Sequence, residues 1–153
     1  MRIAVGSDHS AFELKQLMKQ VLTELGHDVE DLGAYTGEEP ADDYHLIGAA
    51  VAEAVVRGEA DRGLLMCGTG IGMSIAANKV PGASAALCTG LFTAVKSRQH
   101  NNANVLVLGA RVTGPALAEE IVRAWLATQY ERGRHERRNQ NLRAIEHRYT
   151  QNP

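Results

Sequence analysis

The sequence has few cysteines and no long apolar run, and both shortages limit what the protein can be. The two cysteines, Cys67 and Cys88, are not needed as a disulfide, because a chain of 153 residues buries roughly 70% of its unfolded surface and holds a core without cross-links. An apolar run of about 18 residues, the minimum for a membrane-spanning helix, is missing. The first twenty residues also lack the pattern of a secretory signal. We therefore expect a cytoplasmic protein with reduced thiols and no membrane partner.

The histidines and cysteines are not spaced as metal ligands. None of the six histidines forms an HxxxH pair, and the two cysteines do not form the CxxC pair that is typical of zinc sites. We expect no metal site.

Short aliphatic or β-branched runs alternate with longer segments of helical period, which is typical of an α/β fold with a parallel sheet. The segments predicted as strands are Arg2–Ser7, Asp28–Leu32, Gly63–Cys67, Ser84–Cys88 and Asn104–Leu108. No internal repeat, low-complexity segment or linker interrupts this alternation. We expect one doubly wound domain over residues 1–153.

The clearest predicted helix lies between the first two strands. Its apolar residues recur every three or four positions, Ser10 and Glu13 have the spacing of a capping box, and Gly26 is placed to end it. Another helix is predicted to end near Gly58, and a later one to begin after Gly114. Shorter helices are predicted after the third and fourth strands.

The last predicted helix, residues 131–149, is rich in arginine. It contains six arginines and three glutamates, and Arg138, Leu142, Ile145 and Tyr149 form a narrow stripe on it that needs another surface as cover. We expect a second subunit to provide that surface. The positive charge fits nucleic acid, an acidic surface, a phosphorylated small molecule, or simply a solvated face with internal ion pairs. Aromatic residues do not alternate with the arginines, which disfavours nucleic acid as a partner.

Polar residues follow the predicted strands at the end of the sheet where ligands bind in open α/β folds. Asp8 and His9 follow the first strand, the turn Gly68–Gly72 follows Cys67 at the end of the third, and His100 ends the helix after the fourth. Each has two interpretations. The turn is either a tight connection or an anion site made of backbone N–H groups, although its spacing matches neither the phosphate-binding loop nor the dinucleotide motif. Cys67 is either a core cysteine or a reactive thiolate at a helix N-terminus.

The two acid/base candidates are equally open on spacing alone. Asp8 and His9 are either an acid/base pair or a helix cap beside an exposed histidine. His100 is either an acid/base group or an ordinary helix ending. Cys88 follows an apolar run and is interpreted as a core residue.

Five segments carry a more specific signal than any single residue. They are VGSDHSAFELK, the pair Asp43-Tyr44, CGTGIGMSIAANKVPG, SRQHNNANVLVLGAR and YERGRHERR. Together and in this order they resemble the ribose-5-phosphate isomerase B family. The resemblance implies a Rossmann-like three-layer α/β/α sandwich whose C-terminal helix reaches a partner subunit. It also implies a homodimer, in some members paired into a tetramer, with active sites shared between subunits.

The resemblance implies an activity and its residues. The reaction is the interconversion of an aldose phosphate and its ketose through an enediol, without a metal or cofactor. Cys67 corresponds to the general base, Thr69 to part of the anion hole for the enediolate, and Asp8 and His100 to the groups that open the sugar ring. The residues assigned to substrate binding are His9, Tyr44, Gly68, Gly70, Gly72, Ser74, Asn101, Arg111, Arg134 and Arg138.

Some of these assignments are more detailed. The resemblance places His9, Arg134 and Arg138 on the substrate phosphate. It places Asn101 and Arg111, together with His100, in the site of the partner subunit.

The sequence departs from part of the family pattern. Some members carry a glutamate base near position 73, whereas this chain has Met73 and Cys67, so the cysteine mechanism is expected. His45 replaces a proline that often follows the Asp-Tyr pair. Ribose 5-phosphate is the first expected substrate and allose 6-phosphate the second, with galactose 6-phosphate or a tetrulose phosphate as alternatives. A non-catalytic flavodoxin-like module that binds a phosphorylated ligand, or an RNA-binding protein, is the competing class.

Overall fold

In the computed structural model, which describes residues 1–38 and 43–150, helices cover both faces of a five-stranded parallel sheet. The strands are β1 (Arg2–Ser7), β2 (Asp28–Asp31), β3 (Arg62–Cys67), β4 (Ala85–Leu87) and β5 (Val105–Gly109). The helices are α1 (Phe12–Glu24), α2 (Tyr44–Val56), α3 (Ile71–Ala77), α4 (Leu91–Gln99), α5 (Pro115–Ala127) and α6 (Arg134–Thr150). The strand order is β2-β1-β3-β5-β4, and each strand boundary lies within one residue of its predicted position.

The sheet separates two apolar cores. One contains the buried sides of α1 and α5, including Met18 and Trp125, and the other contains those of α2 and α3, including Val51 and Met73. Because both faces are covered, the central strands are apolar throughout rather than alternating. The three-layer α/β/α fold expected from the sequence is confirmed.

The order of the strands creates a switch point between β1 and β3. These strands pair with each other, but α1 leads from β1 to one edge of the sheet, whereas α3 covers the opposite face and leads from β3 to the other edge. In parallel sheets, such a point opens a crevice beyond the carboxyl ends of the two strands. Cys67 and the residues that follow β1 border this crevice.

The start of α1 differs from its prediction. A short 3-10 helix over His9–Ala11 precedes α1, and its N-cap is Asp8, whose carboxylate accepts hydrogen bonds from the amide and the hydroxyl of Ser10 at 3.0 and 2.6 Å. Ala11, the N-cap of α1 itself, makes no side-chain hydrogen bond. The predicted capping box of Ser10 and Glu13 is therefore wrong, because the aspartate two residues earlier has taken the capping role.

A buried lysine fixes the segment that follows β2. Lys15 is fully buried on α1, and its ammonium lies 2.7 Å from a carboxylate oxygen of Asp31 and donates to the carbonyl of Ala34. The same segment pairs with the end of β1, because the amide of Ser7 donates to the carbonyl of Gly33 at 2.7 Å. Lys15 thus connects α1 to the backbone beside the crevice.

The last helix begins three residues later than predicted. Arg132 and Gly133 both have φ of +56°, a left-handed conformation that interrupts a right-handed helix, so α6 begins at Arg134. Its apolar residues Leu142 and Ile145 are 56% and 50% exposed, and their cover by a second subunit stays a prediction. Within the two described ranges, no helix is long and apolar enough to cross a membrane.

The edge strand β4 is closed by a side chain. The amide group of Asn78 donates to the carbonyl of Ala85 and accepts from its N–H, both at 2.9 Å. These are the groups that Ala85 turns away from β5. The side chain of Asn78 therefore takes the place of a further strand.

Candidate active site

Cys67 ends β3 at the switch point. Its side chain is buried, and its sulfur accepts a hydrogen bond from the backbone N–H of Gly70 at 3.1 Å. The carbonyl of Cys67 accepts from the amide of Ala110 at 2.8 Å, which fixes the strand end to the segment after β5. The thiol is thereby held toward the glycine-rich turn.

The glycine-rich turn lies so close to β5 that neither Gly70 in the turn nor Gly109 in the strand has room for a side chain. Gly70 has φ of +81°, and a Cβ there would lie 2.4 Å from a methyl of Leu87 and 3.1 Å from the backbone of Leu108. A Cβ on Gly109 would lie 2.5 Å from the carbonyl of Thr69. The turn therefore packs directly on β5, while the side chain of Thr69 is exposed and its hydroxyl accepts from the amide of Ile71 at 3.3 Å.

Asp8 and His9 lie on the other side of the crevice. The amide of Asp8 donates to the carbonyl of Met66 at 3.2 Å, so the ends of β1 and β3 stay paired up to this point. Both side chains are partly exposed. A carboxylate and an imidazole therefore border the same crevice as the thiol of Cys67.

Two further predicted residues contact the turn. A Cβ on Gly68 would lie 3.6 Å from Nε of Arg111, and the amide of Arg111 donates to the carbonyl of Gly68 at 2.9 Å. The ring of Tyr44, at the start of α2, lies against Gly72, where a Cβ would meet Cε2 at 2.8 Å. Ser74 is in the first turn of α3, where its amide donates to the carbonyl of Gly70 at 3.0 Å.

His100 lies in a second group of predicted residues, at the C-terminal end of α4. Its ring stacks on that of His135, with centroids 4.1 Å apart and planes at 10°. Its Nε2 lies 3.8 Å from the carboxylate of Glu131, and its carbonyl accepts from the side chain of Asn139 at 3.0 Å. Asn101, which is exposed, follows at the mouth of a groove of about 360 Å³ between α4 and α6.

Arg134 and Arg138 belong to this second group. Both are exposed on α6, and their charges act on His135. Burial lowers the pKa of the His135 imidazole first, and the charges of His100, Arg134 and Arg138 lower it further, against the opposing charge of Glu131. The imidazole of His135 is therefore neutral near pH 7.

The two groups lie at opposite ends of the strands. All strands are parallel, so α4, which connects β4 to β5, must run back from the carboxyl ends of the strands, and its end at His100 lies near their amino ends. Cys67 is at the carboxyl end of β3. One chain therefore does not bring Cys67 and His100 together.

Two of the expected groupings include residues that one chain holds apart. Arg111 lies beside the Cys67 turn of its own chain, away from His100, and its entry into a neighbouring site together with His100 stays a prediction. His9 lies at the same end of the strands as Cys67, so one chain does not bring it to Arg134 and Arg138.

Sequence reasoning missed the residues that surround His100. Glu131, His135 and Asn139 follow one another at four-residue intervals, and all three contact it. For His135 and Asn139 that spacing is a usable signal, since residues four apart on a helix share a face. Glu131 precedes α6 and is separated from it by the left-handed residues Arg132 and Gly133, so helical spacing does not reveal its place beside His100.

The same cluster is the part of the described chain that comes nearest to a metal centre. One ligand atom each from His100, Glu131 and His135 lie within 4.8 Å of one another. The two imidazole planes are nearly parallel, however, so the lone pairs of the two rings do not converge on one point, and Arg134 and Arg138 add positive charge. The absence of a metal site stays a prediction.

Cys88 behaves as the core cysteine that was expected. It is 1% exposed, and burial raises the pKa of its thiol although hydrogen bonds with Ser97 and Thr93 oppose that shift. Of the two cysteines, only Cys67 borders the crevice.

Known enzymes resemble this chain in sequence and in fold. Ribose-5-phosphate isomerase B of Escherichia coli K12 is 48% identical over 147 residues, which cover 96% of this chain and 97% of that protein. D-erythrulose-4-phosphate isomerase of Pectobacterium atrosepticum is 45% identical over 134 residues, 87% of each chain. The structure of Clostridium thermocellum ribose-5-phosphate isomerase B superposes with a TM-score of 0.94 at 48% identity, covering 97% of this chain and 99% of that one. Residues 3–142 match the family described as Ribose/Galactose Isomerase, and the chain belongs to that family.

Proposed function

We propose that this chain interconverts the aldose and ketose forms of a sugar phosphate, with ribose 5-phosphate as the first substrate and allose 6-phosphate as the second. One observation carries most of the proposal: the sulfur of Cys67 is held at the switch point with the N–H of Gly70 3.1 Å away. The names of the relatives support the reaction class. The names do not agree on one substrate, since one relative is named for a pentose phosphate and another for a tetrulose phosphate.

Proton transfer between the two carbons is assigned to Cys67. Its sulfur removes the proton from the carbon next to the carbonyl and returns it to the former carbonyl carbon, while the hydroxyl proton moves between the two oxygens. The N–H of Gly70 stabilises negative charge on the sulfur during this step. Thr69 and the other amides of residues 68–72 stabilise the enediolate oxygen. These groups belong to the chain itself, so we propose no cofactor.

Ring opening precedes proton transfer when the aldose is cyclic. Asp8 accepts the proton of the anomeric hydroxyl, and His100 donates a proton to the ring oxygen as its bond to the anomeric carbon breaks. Within one chain, Asp8 lies at the carboxyl ends of the strands and His100 at their amino ends. We therefore propose that His100 reaches the crevice of a second subunit. The protein is then a homodimer, or a tetramer made of two such dimers.

The phosphate site is divided in the same way. His9 approaches the phosphate from the chain that contributes Cys67, whereas Arg134 and Arg138 come from the other subunit. The two arginines are four residues apart and share one side of α6, so their guanidinium groups can bind the phosphate oxygens together.

A substrate comparison tests the activity. Ribose 5-phosphate and allose 6-phosphate are assayed side by side with the parent protein, with Cys67→Ala and with Cys88→Ala. Loss of the base lowers turnover by roughly 10²–10⁴-fold, whereas Cys88→Ala keeps the parent rate. Full activity of Cys67→Ala would defeat the cysteine mechanism. No turnover of any sugar phosphate, together with tight nucleotide binding, would favour the non-catalytic module.

Subunit mixing tests the shared site. Cys67→Ala and His100→Asn chains, each inactive alone, are refolded together, and the mixed dimer is isolated by two different affinity tags. One of its two sites is then free of both substitutions, so about half of the parent activity per dimer is expected. A pure mixed dimer without activity would mean that each subunit carries a complete site.

A further inference from the structure

Two titratable side chains, those of His135 and Glu131, border the ring of His100. His135, with its side chain buried, presents the flat face of its ring to His100 over a centroid distance of 4.1 Å. The carboxylate of Glu131 lies 3.8 Å from Nε2 of His100 and 3.6 Å from Nε2 of His135. The Nε2 of His135 has no hydrogen-bond partner within the described residues. A half-buried imidazole is thus bordered by a second imidazole on its face and by a carboxylate at its edge.

The backbone of this segment is fixed to the end of α4. The amide of Glu131 donates to the carbonyl of Gln99 at 3.0 Å, and the side chain of Asn139 donates to the carbonyl of His100 at 3.0 Å and to the hydroxyl of Tyr130 at 2.8 Å. The left-handed conformations just before α6 turn the chain so that His135 faces back onto His100. The contacts between the rings are therefore built into the fold.

The surroundings of His135 keep its ring neutral beside His100. Two positively charged imidazoles stacked face to face repel each other, so at most one of the two rings carries a positive charge at a time. His135 is the neutral ring, because it is buried and because two arginines and His100 act on it. The neutral ring of His135 then offers an aromatic face to His100, which is a favourable neighbour for an imidazole that carries a proton during ring opening.

We propose that Glu131 and His135 are positioning residues that hold His100 for ring opening, with Nε2 of His100 turned to Glu131 and Nδ1 turned to the sugar. The inference rests on the proposed function. In the donating step, Nδ1 loses its proton to the ring oxygen, and the proton on Nε2 stays beside the carboxylate. The neutral tautomer that remains is the one whose Nδ1 can take the proton back when the ring closes.

The test separates ring opening from proton transfer. Glu131→Gln keeps the shape of the side chain and removes its charge, and turnover of cyclic ribose 5-phosphate should fall roughly 10–100-fold, as for other displacements of a reacting group. KM should change little, because the phosphate ligands are untouched. Exchange of the C1 proton of ribulose 5-phosphate with solvent should keep the parent rate, because the ketose has an open chain. Glu136→Gln removes a carboxylate from the same segment and is the matched control.

Two further experiments test the positions of the two rings, one by NMR and one by turnover. Nitrogen NMR of His100 should show the Nε2–H tautomer in the parent and a mixture of tautomers in Glu131→Gln. His135→Phe, which keeps a flat buried ring, should retain more aldose turnover than His135→Ala. Should either variant fail to fold, Glu131→Gln still decides the question, since Glu131 is 45% exposed and not part of the core.

Several outcomes would overturn the inference. They are unchanged aldose turnover in Glu131→Gln, equal losses in aldose turnover and in C1 exchange, or the same loss in Glu136→Gln. Saturable binding of Zn²⁺ that is abolished in His135→Phe would make the cluster a metal site instead. Failure of the proposed function is a different result, in which the parent protein itself neither turns over the aldose nor exchanges the C1 proton.

Discussion

Replacement of Lys15 by methionine should destabilise the protein far more than a typical lysine substitution. Methionine keeps an unbranched side chain of similar length and removes the ammonium group. The carbonyl of Ala34 then loses its donor, and Asp31, whose side chain is only 19% exposed, loses the more deeply buried of its two lysine partners. Lys19 remains at 2.6 Å from Asp31 and keeps that carboxylate partly compensated.

The magnitude follows from these contacts. Removing one partner of a buried pair costs about 3–5 kcal/mol. The remaining pairing with Lys19 and the partial exposure of Asp31 reduce that to about 2–3 kcal/mol. For a chain of this size each kcal/mol lowers Tm by about 2–4 °C, so Tm should fall by about 4–12 °C. Lys19→Met is the matched control, since Lys19 binds the same carboxylate but is 30% exposed, and it should cost about 1 kcal/mol or less.

The effect depends on pH with a definite sign. Partial burial by itself raises the pKa of Asp31, but the hydrogen bonds from Lys15, Lys19 and the amide of Gly33 outweigh it, and the net shift is downward. A carboxyl with a lowered pKa in the folded state stabilises the protein above its ordinary pKa of about 4 and ceases to do so as the pH falls through the folded value. The Tm difference between the parent and Lys15→Met should therefore narrow below about pH 4.

Thermal unfolding followed by circular dichroism across this pH range is the assay. A Tm for Lys15→Met no lower than that of Lys19→Met would refute the reasoning, because burial of the ammonium would then contribute nothing. A difference that widens in acid would refute the assignment to Asp31.

Two other predictions concern the Cys67 turn. A thiol alkylating reagent near neutral pH should modify Cys67 in the folded protein and leave Cys88 unmodified, as mapped by mass spectrometry, because only Cys67 borders the crevice; equal labelling would contradict this placement. Gly70→Ala should lower both stability and activity, since a Cβ there lies 2.4 Å from Leu87 and the residue must hold a left-handed φ. Gly114→Ala, where a Cβ meets no atom within 4 Å, should change neither, and similar effects of the two substitutions in unfolding and turnover assays would refute the argument.

The strands and most of the helices could be predicted from local pattern. The residues between Arg2 and Ser7 are all apolar because helices cover both faces of the sheet, so the limits of this strand are visible in the sequence. The helix predicted after Gly114 and Pro115 begins at Pro115 itself, whose fixed φ suits the first turn of a helix. The start of α1 was missed because Asp8 and Ser10 are both good caps, and spacing alone does not say which of them the chain uses.

The site residues and their division between two subunits are implied by the family resemblance and not by any local pattern. Nothing local in the sequence reveals that α4 carries His100 to the amino ends of the strands, away from Cys67. That placement follows from the direction of a helix between parallel strands, and it could have been derived once the strands were assigned. The burial of Lys15 depends on Asp31, sixteen residues away, and only the fold brings the two together.

The way the sheet ends has a consequence for behaviour at high concentration. An open edge strand offers unpaired N–H and C=O groups to the same strand of another molecule, which is a common start of aggregation. On one edge, β2 is four residues long and carries three acidic side chains, so two copies would repel each other. On the other, Asn78 occupies the outward groups of Ala85, and β4 is only three residues long. Both margins of the sheet therefore resist edge-to-edge association, and Asn78→Ala should be the single change that most readily opens one of them.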